Sequence, residues 1–152
     1  MKMGKEDRMG KDRPDHHDAE LVLRVYELRR EPVMRQARHE LLSTFWPKTY
    51  DEVVAVTRPT SPLNTAYRQV GSYWEMVYGM ARHGIVHADY FLESNGEGVF
   101  LFARVAPYLE RFRAEVSPVA FRNAEWVSRE TDTGRRFFEV FTARVKKALE
   151  TR

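Results

Sequence analysis

The sequence contains no cysteine. Thiol nucleophiles, disulfides and cysteine metal sites are therefore excluded, and the absence of disulfide chemistry agrees with a cytoplasmic location. The longest uninterrupted apolar run, residues 99–103, is far shorter than the ~20 residues that a membrane-spanning helix needs. The N-terminus also lacks the apolar core of a signal peptide. We therefore expect a cytoplasmic protein with no membrane insertion.

An excess of one sign of charge is also missing. The 152 residues include 25 Lys and Arg against 22 Asp and Glu, a formal net charge of +3. Basic and acidic residues are interleaved along the chain, which is typical of a solvated, ion-paired surface rather than of a phosphate-binding block. Hydrophobic residues make up 43% of the chain and charged residues 31%, as in an ordinary globular protein of one domain.

Catalytic motifs are absent as well. The chain has no glycine-rich phosphate loop, zinc-finger spacing or RNA-binding aromatic motif, so we assign no catalytic residue, metal site or cofactor. His83 and His87, with Asp89 just behind them, have metal-ligand types at a suggestive spacing. Gly84 between them is expected in the left-handed conformation that ends a helix, and a broken helix cannot hold both imidazoles on one face. We expect His83 at a helix end, His87 at the cap of the next helix and Asp89 in its first turn.

What the sequence has in abundance is apolar residues at spacings of three and four. This pattern predicts amphipathic helices, and no segment shows a convincing strand pattern. We predict an all-α protein, a single-domain bundle of six to eight helices, several of them short or proline-kinked. The domain should occupy residues 15–152, after a flexible charged tail at residues 1–14 that has too little apolar surface to order itself.

Capping residues and prolines mark the expected helix boundaries. Thr49 and Glu52 form a capping box. A serine followed by proline is a common helix start. The broadest apolar stripe falls on about residues 62–83, which predicts a helix central to the bundle. The expected starts are Asp15, Glu31, Thr49, Ser61-Pro62, Ser117-Pro118 and Arg135, with a kink or fresh start at Pro107.

Residues 74–113 combine the pair Trp74-Glu75, the helix end RHGIV, the short helix HADYFL and an aromatic-rich helix with Pro107 and Arg111. In these features the sequence resembles an uncharacterised bacterial family of small all-helical domains, a domain of unknown function. The resemblance covers about a quarter of the chain. It implies an all-helical bacterial domain and no reaction. In that family an Asp commonly stands where His87 stands here, and many members carry an N-terminal membrane helix.

Glu75 is the acid most suited to chemistry, because Gly71 and Gly79 lie one turn to either side and leave room for a ligand or another backbone. It could act as a general base or ligand contact, but no second titratable group is identified for it. We favour a structural ion pair with Arg104 or Arg111.

Two further sets of residues could contact partners. Phe45 and Trp46 at a helix end could anchor a protein partner or could plug the end of the bundle. Basic helix faces could follow nucleic-acid phosphates. The candidates on these faces are Arg24, Arg35, Arg38, Arg135, Arg136, Arg144, Lys146 and Lys147.

We conclude that the chain is best interpreted as a protein–protein interaction or regulatory module that self-associates, as a homodimer or another homo-oligomer. The aromatic content, 12% of the residues, and the lack of catalytic motifs motivate this hypothesis. Nucleic-acid binding through the basic helices is the alternative. An enzyme or small-ligand binder that uses Glu75 or His87 comes third.

Overall fold

The computed structural model describes residues 11–152, which form a bundle of helices without strands. A 3₁₀ turn at Ala106–Tyr108 joins two of the helices, Glu97–Val105 and Leu109–Glu115, into one kinked segment at Pro107. Counted with that segment as one helix, the described residues form eight helices, so the predicted all-α bundle is confirmed. The helices are α1 His16–Arg30, α2 Pro32–Thr44, α3 Tyr50–Val56, α4 Asn64–Arg82, α5 Ala88–Glu93, α6 Glu97–Val105, α7 Leu109–Glu115, α8 Arg122–Glu130 and α9 Asp132–Glu150.

Most of the predicted flexible tail, residues 1–10, lies outside the described residues. Within its last part, the Lys11 ammonium donates a hydrogen bond of 3.1 Å to the Asp18 carboxylate in the first turn of α1. No helix formed by residues 11–152 combines the length and apolarity that crossing a bilayer requires.

Helix α4 occupies the centre of the bundle, as its broad stripe predicts. It packs against α2 on one side and α8 on the other. Helix α6 also lies close to it, since a Cβ placed on Gly98 would be only 2.6 Å from a ring carbon of Tyr78. The helix starts two residues later than expected, because Ser61 instead caps a turn through its hydroxyl, which accepts from the Leu63 amide at 3.2 Å.

The end of α4 confirms the turn expected at Gly84, which has a φ of 72°. The Gly84 amide donates to the Ala81 carbonyl at 3.1 Å and the Ile85 amide donates to the Met80 carbonyl at 2.9 Å, which together form a Schellman cap. Ile85 is 56% exposed and Val86 only 1%, so Val86 supplies the apolar contact expected of Ile85.

Two predicted helix starts are wrong. Residues 117–121 form turns, and α8 begins at Arg122 after Phe121, which has a left-handed φ of 56°. The last helix begins at Asp132 rather than at Arg135. The Thr131 hydroxyl donates to the Val127 carbonyl at 2.7 Å and accepts from the Gly134 amide at 2.9 Å, so one residue suffices to separate α8 from α9.

Candidate functional site

Glu75, the acid singled out by the sequence, caps a neighbouring helix. Its two carboxylate oxygens accept hydrogen bonds from the Asn123 amide at 2.9 Å and the Ala124 amide at 2.8 Å in the first turn of α8. The Asn123 side chain donates back to the Glu75 carbonyl at 2.9 Å, and it comes within 3.0 Å of where a Cβ on Gly79 would lie. The negative charge also complements the positive end of the α8 dipole.

The expected ion pair of Glu75 with Arg104 or Arg111 is therefore wrong. Arg104 donates to main-chain carbonyls at the end of α2, and Arg111 lies 3.3 Å from Glu115 within its own helix. Backbone amides of α8 occupy one acceptor site on each Glu75 oxygen, and Glu75 also lines a groove between α4 and the turns that precede α8.

His87 is the N-cap of α5, as predicted. Its Nδ1 accepts from the Tyr90 amide at 3.1 Å, and its own amide donates to Asp18 at 2.9 Å. Burial tends to raise the pKa of Asp18, but hydrogen bonds from the Asp15 and His87 amides and from Lys11 hold that pKa below its ordinary value. Asp18 thus ties the start of α1 to the start of α5.

Asp89 lies in the first turn of α5, as expected, and caps a different helix. Its carboxylate accepts from the Thr133 amide at 2.8 Å, in the first turn of α9. His83 is exposed at the C-terminal end of α4, just before the break at Gly84. Residues 11–152 contain no group of three or more His, Asp or Glu side chains arranged to hold a metal ion. His87 and Asp89 thus connect helices to one another.

Phe45 and Trp46 lie at the end of α2. Phe45 is 4% exposed, and Trp46 is partly buried with the guanidinium carbons of Arg104 and Arg152 at 3.6 and 4.4 Å from its ring centroid. Burial, with a smaller contribution from Arg152, lowers the pKa of Arg104 to about 10. This packing favours the plug at the end of the bundle over an exposed anchor.

The basic residues proposed for nucleic acid do not form one surface of unpaired charge. Arg24 lies 3.4 Å from Glu27, Arg38 lies 2.7 Å from Glu97, and Arg135 pairs with Asp132. The remaining candidates, Arg35, Arg136, Arg144, Lys146 and Lys147, are exposed on α2 and α9.

The outward face of α4 carries apolar surface that the sequence analysis did not single out. One groove, of about 370 Å³, lies where α4 meets the junction of α1 and α2. Met76 of α4 is 59% exposed and Leu28 of α1 is 39% exposed on its rim, above Met34 and Tyr73. An apolar residue at an outward position of an amphipathic helix is the signal that could have identified Met76.

A second groove, of about 390 Å³, lies on the other side of the same face, against the turns that precede α8. Val116 and Val119 line it and are 43% and 60% exposed. Tyr67 forms part of the wall, and burial, with a smaller effect of the Glu75 charge, raises its pKa to about 12. Ser72 of α4 lines both grooves, so a ridge of α4 separates them.

The family model of a domain of unknown function, DUF4760, matches residues 14–131. The match confirms the resemblance to an uncharacterised domain family and extends it well beyond residues 74–113. It ends just before α9. No curated protein and no solved structure matches the chain.

Proposed function

The chain belongs to the DUF4760 family, and we propose that its domain is a protein–protein interaction or regulatory module that self-associates through the outward face of α4. One observation carries the proposal: two grooves with exposed apolar side chains on their rims lie side by side on one face of α4. The proposed partner is a second copy of this chain. We also propose a cytoplasmic location, which fractionation of the producing cells would test.

The ridge and grooves suit a symmetric dimer. In a twofold interface the same patch lies on both subunits, so it must contain both the projecting part and the cavity that receives it. The strip of α4 that includes Arg68, Ser72 and Met76 lies between grooves of about 370 and 390 Å³, and an open cavity of about 380 Å³ lies over Arg68 and Ser72. The ridge of one copy can therefore enter a groove of the other, as in ordinary helix packing.

The charges at the two ends of this face favour the same arrangement. Arg68 is exposed near the start of the ridge, while the exposed Glu31 lines the groove beside Met76 near its other end. An antiparallel pairing of two α4 helices about an axis near Ser72 brings Arg68 of one copy toward Glu31 of the other. Among residues 11–152, Arg68 lies within 4.0 Å of no carboxylate, so it is available for this contact.

This dimer would cover the exposed apolar side chains of the two grooves, which are Leu28, Met76, Val116 and Val119. Solvent-exposed apolar side chains that cluster at a groove are typical of interaction sites, whereas single ones are ordinary. Val140 on α9 is a single one: it is 54% exposed and lines neither of the two grooves. The two kinds of site can therefore be compared by the same substitution.

The test is the molar mass by light scattering after size exclusion, over a range of protein concentrations. We expect a dimer for the unchanged protein and for Val140→Lys, and a monomer for Met76→Lys, because a lysine at that position would be desolvated in the dimer interface. A monomeric unchanged protein at high concentration contradicts the proposal, as does a dimer that survives Met76→Lys. Circular dichroism of each variant verifies that it is folded.

Nucleic-acid binding stays a prediction, with Arg35, Arg136, Arg144, Lys146 and Lys147 as its exposed residues. It requires binding that weakens steeply as salt rises, because phosphate contacts release counterions. The same size-exclusion runs with mixed nucleic acid at low and high salt would detect it. Chemistry at Glu75 or His87 also stays a prediction, and the contacts that cap α8 and α5 do not support it.

A further inference from the structure

A third groove, of about 420 Å³, lies between α2 and α6 near the end of the bundle that Trp46 covers. It is separate from the face of α4 proposed above for self-association. Basic and aromatic side chains dominate its lining. They are Arg35, Arg38, His39, Trp46, Phe100 and Arg104.

Arg104 is the central residue of this groove and has no carboxylate partner. It is only 2% exposed, and its Nη1 donates to the carbonyls of Leu42 at 2.9 Å and Phe45 at 2.7 Å. Its Nε is fully enclosed without a hydrogen-bond partner, as is the Nε1 of the adjacent Trp46. Its Nη2 makes no hydrogen bond with residues 11–152 and is not among the enclosed atoms. A buried charge is costly unless it is paired, so a guanidinium in this state calls for an anion.

The charged residues near Arg104 do not neutralise its guanidinium. Glu97 is the acidic residue of the groove lining, and Arg38 occupies both of its oxygens at 2.7 Å each. Arg35 is exposed on the rim, and within the described part of the chain no carboxylate lies within 4.0 Å of it. Arg152 adds its charge over Trp46, at 4.4 Å from the ring centroid. The groove therefore has a clear excess of positive charge.

We propose that this groove binds a small phosphorylated molecule, whose phosphate oxygens accept hydrogen bonds from Arg104 Nη2 and from Arg35. Guanidinium groups match the geometry of phosphate oxygens, and several of them together favour an anion with more than one negative charge. Small-molecule sites commonly have ~300–1,000 Å³, so the groove has room for more than the phosphate itself. The rings of Trp46 and Phe100 form the apolar wall for the remainder of the ligand.

A nucleic-acid strand suits the groove less well. A strand needs a track of available cations that continues from the groove. Arg24 and Arg135 on the proposed basic faces are paired with Glu27 and Asp132, and the exposed Arg136, Lys146 and Lys147 lie on α9, outside the groove lining. Of the exposed nucleic-acid candidates among residues 11–152, Arg35 is the one that lines the groove.

The test is titration calorimetry of the full chain with inorganic pyrophosphate and with adenosine monophosphate as probes. We expect one molecule bound per chain, and Arg35→Ala should weaken binding by about tenfold, as expected for the loss of a charge-assisted hydrogen bond. The matched control is Arg58→Ala, which removes an exposed arginine from the connector between α3 and α4, away from this groove. It should leave the affinity unchanged.

Arg104 itself is a hazardous position to change, because it also holds the end of α2. Tryptophan fluorescence provides a second measurement that does not need it: a probe-induced change should disappear in Trp46→Phe and persist in Trp126→Phe. The proposal is overturned if neither probe binds the unchanged protein, if Arg58→Ala weakens binding as much as Arg35→Ala, or if Trp46→Phe leaves the fluorescence change intact. It is also overturned if a single-stranded oligonucleotide binds, displaces the probes, and depends on Arg136 and Lys147 rather than on Arg35. Met76→Lys should not alter the affinity, which separates this site from self-association.

Discussion

Helices α4 and α9 have the same length, 19 residues, yet they are buried to very different extents. Eight residues of α4 are buried, against two of α9, Gly134 and Val145. Helix α4 has α2 on one side and α8 on the other, while α9 lies against α6 and α8 at the edge of the bundle. The family match includes all of α4 and ends at residue 131, just before α9 begins.

Neither length nor the number of neighbouring helices explains the difference, since both helices have 19 residues and each packs mainly against two helices besides α5; α4 buries more of its surface against its neighbours. Helix α9 is attached mainly by three phenylalanines, Phe137, Phe138 and Phe141, which are all only partly buried. Phe138 lies 5.5 Å from Phe102, and Phe141 lies 5.1 Å from Phe100, both measured between ring centroids. We therefore expect α4 to define the stability of the whole domain and α9 to contribute less per residue.

The largest difference in stability is expected when one aromatic residue of each helix is replaced by alanine. Trp74→Ala in α4 should lower the free energy of unfolding by about 3–5 kcal/mol, because it leaves a cavity in the core. Phe141→Ala in α9 should cost about 1–2 kcal/mol, because its ring is already partly in water. Urea unfolding of both variants measures the difference. Equal losses would mean that α9 is as central as α4.

A smaller loss of stability is expected when Asp18 is substituted. Asp18 accepts a hydrogen bond at the start of α5, the short helix that contacts both α4 and α9. Near neutral pH, Asp18→Asn should lower the free energy of unfolding by about 2 kcal/mol, because an amide replaces a carboxylate that accepts hydrogen bonds from two backbone amides and Lys11. Asp12→Asn, at an exposed position, is the matched control.

The pH dependence of this variant has a defined sign. The pKa of Asp18 is lowered in the folded state, so its charged form stabilises the protein above its ordinary pKa of ~3.9, and that contribution is lost as the pH falls through the folded pKa. The gap between the unchanged protein and Asp18→Asn should therefore narrow below about pH 4. In Asp18→Asn, the amides in the first turn of α9, which Asp89 of α5 caps, should lose protection from hydrogen exchange before the amides of α4 do. A gap that stays constant with pH, or earlier loss in α4, would refute this account.

Local signals in the sequence predicted local structure well. Gly84 ends α4 because only a residue that tolerates a positive φ fits there, and His87 caps α5 through an amide three residues away. The same signals gave a wrong helix start where a residue distant in the sequence caps the helix. Ser117-Pro118 does not start α8, because Glu75, which is 48 residues before Asn123, caps that helix instead.

The candidate surfaces were less predictable than the helices. The grooves beside α4 and the groove around Arg104 arise from helices that meet only in the folded chain. Arg104 did leave a signal, since it stands directly between the apolar run 99–103 and Val105. Its orientation toward the carbonyls of Leu42 and Phe45, rather than toward Glu75, depends on tertiary packing.

The smallest expected effect compares two carboxylates that cap neighbouring helices. Glu75 of α4 accepts two amides of α8, whereas Asp89 accepts one amide of α9. Because the amide side chain keeps one acceptor oxygen but loses the charge that complements the helix dipole, Glu75→Gln should cost about 1 kcal/mol and Asp89→Asn about 0.5 kcal/mol. Thermal unfolding of the two variants, with Glu139→Gln on the exposed side of α9 as the control, measures both. If Asp89→Asn proves the more costly, the cap of α9 contributes more to the stability of the domain than the cap of α8 does.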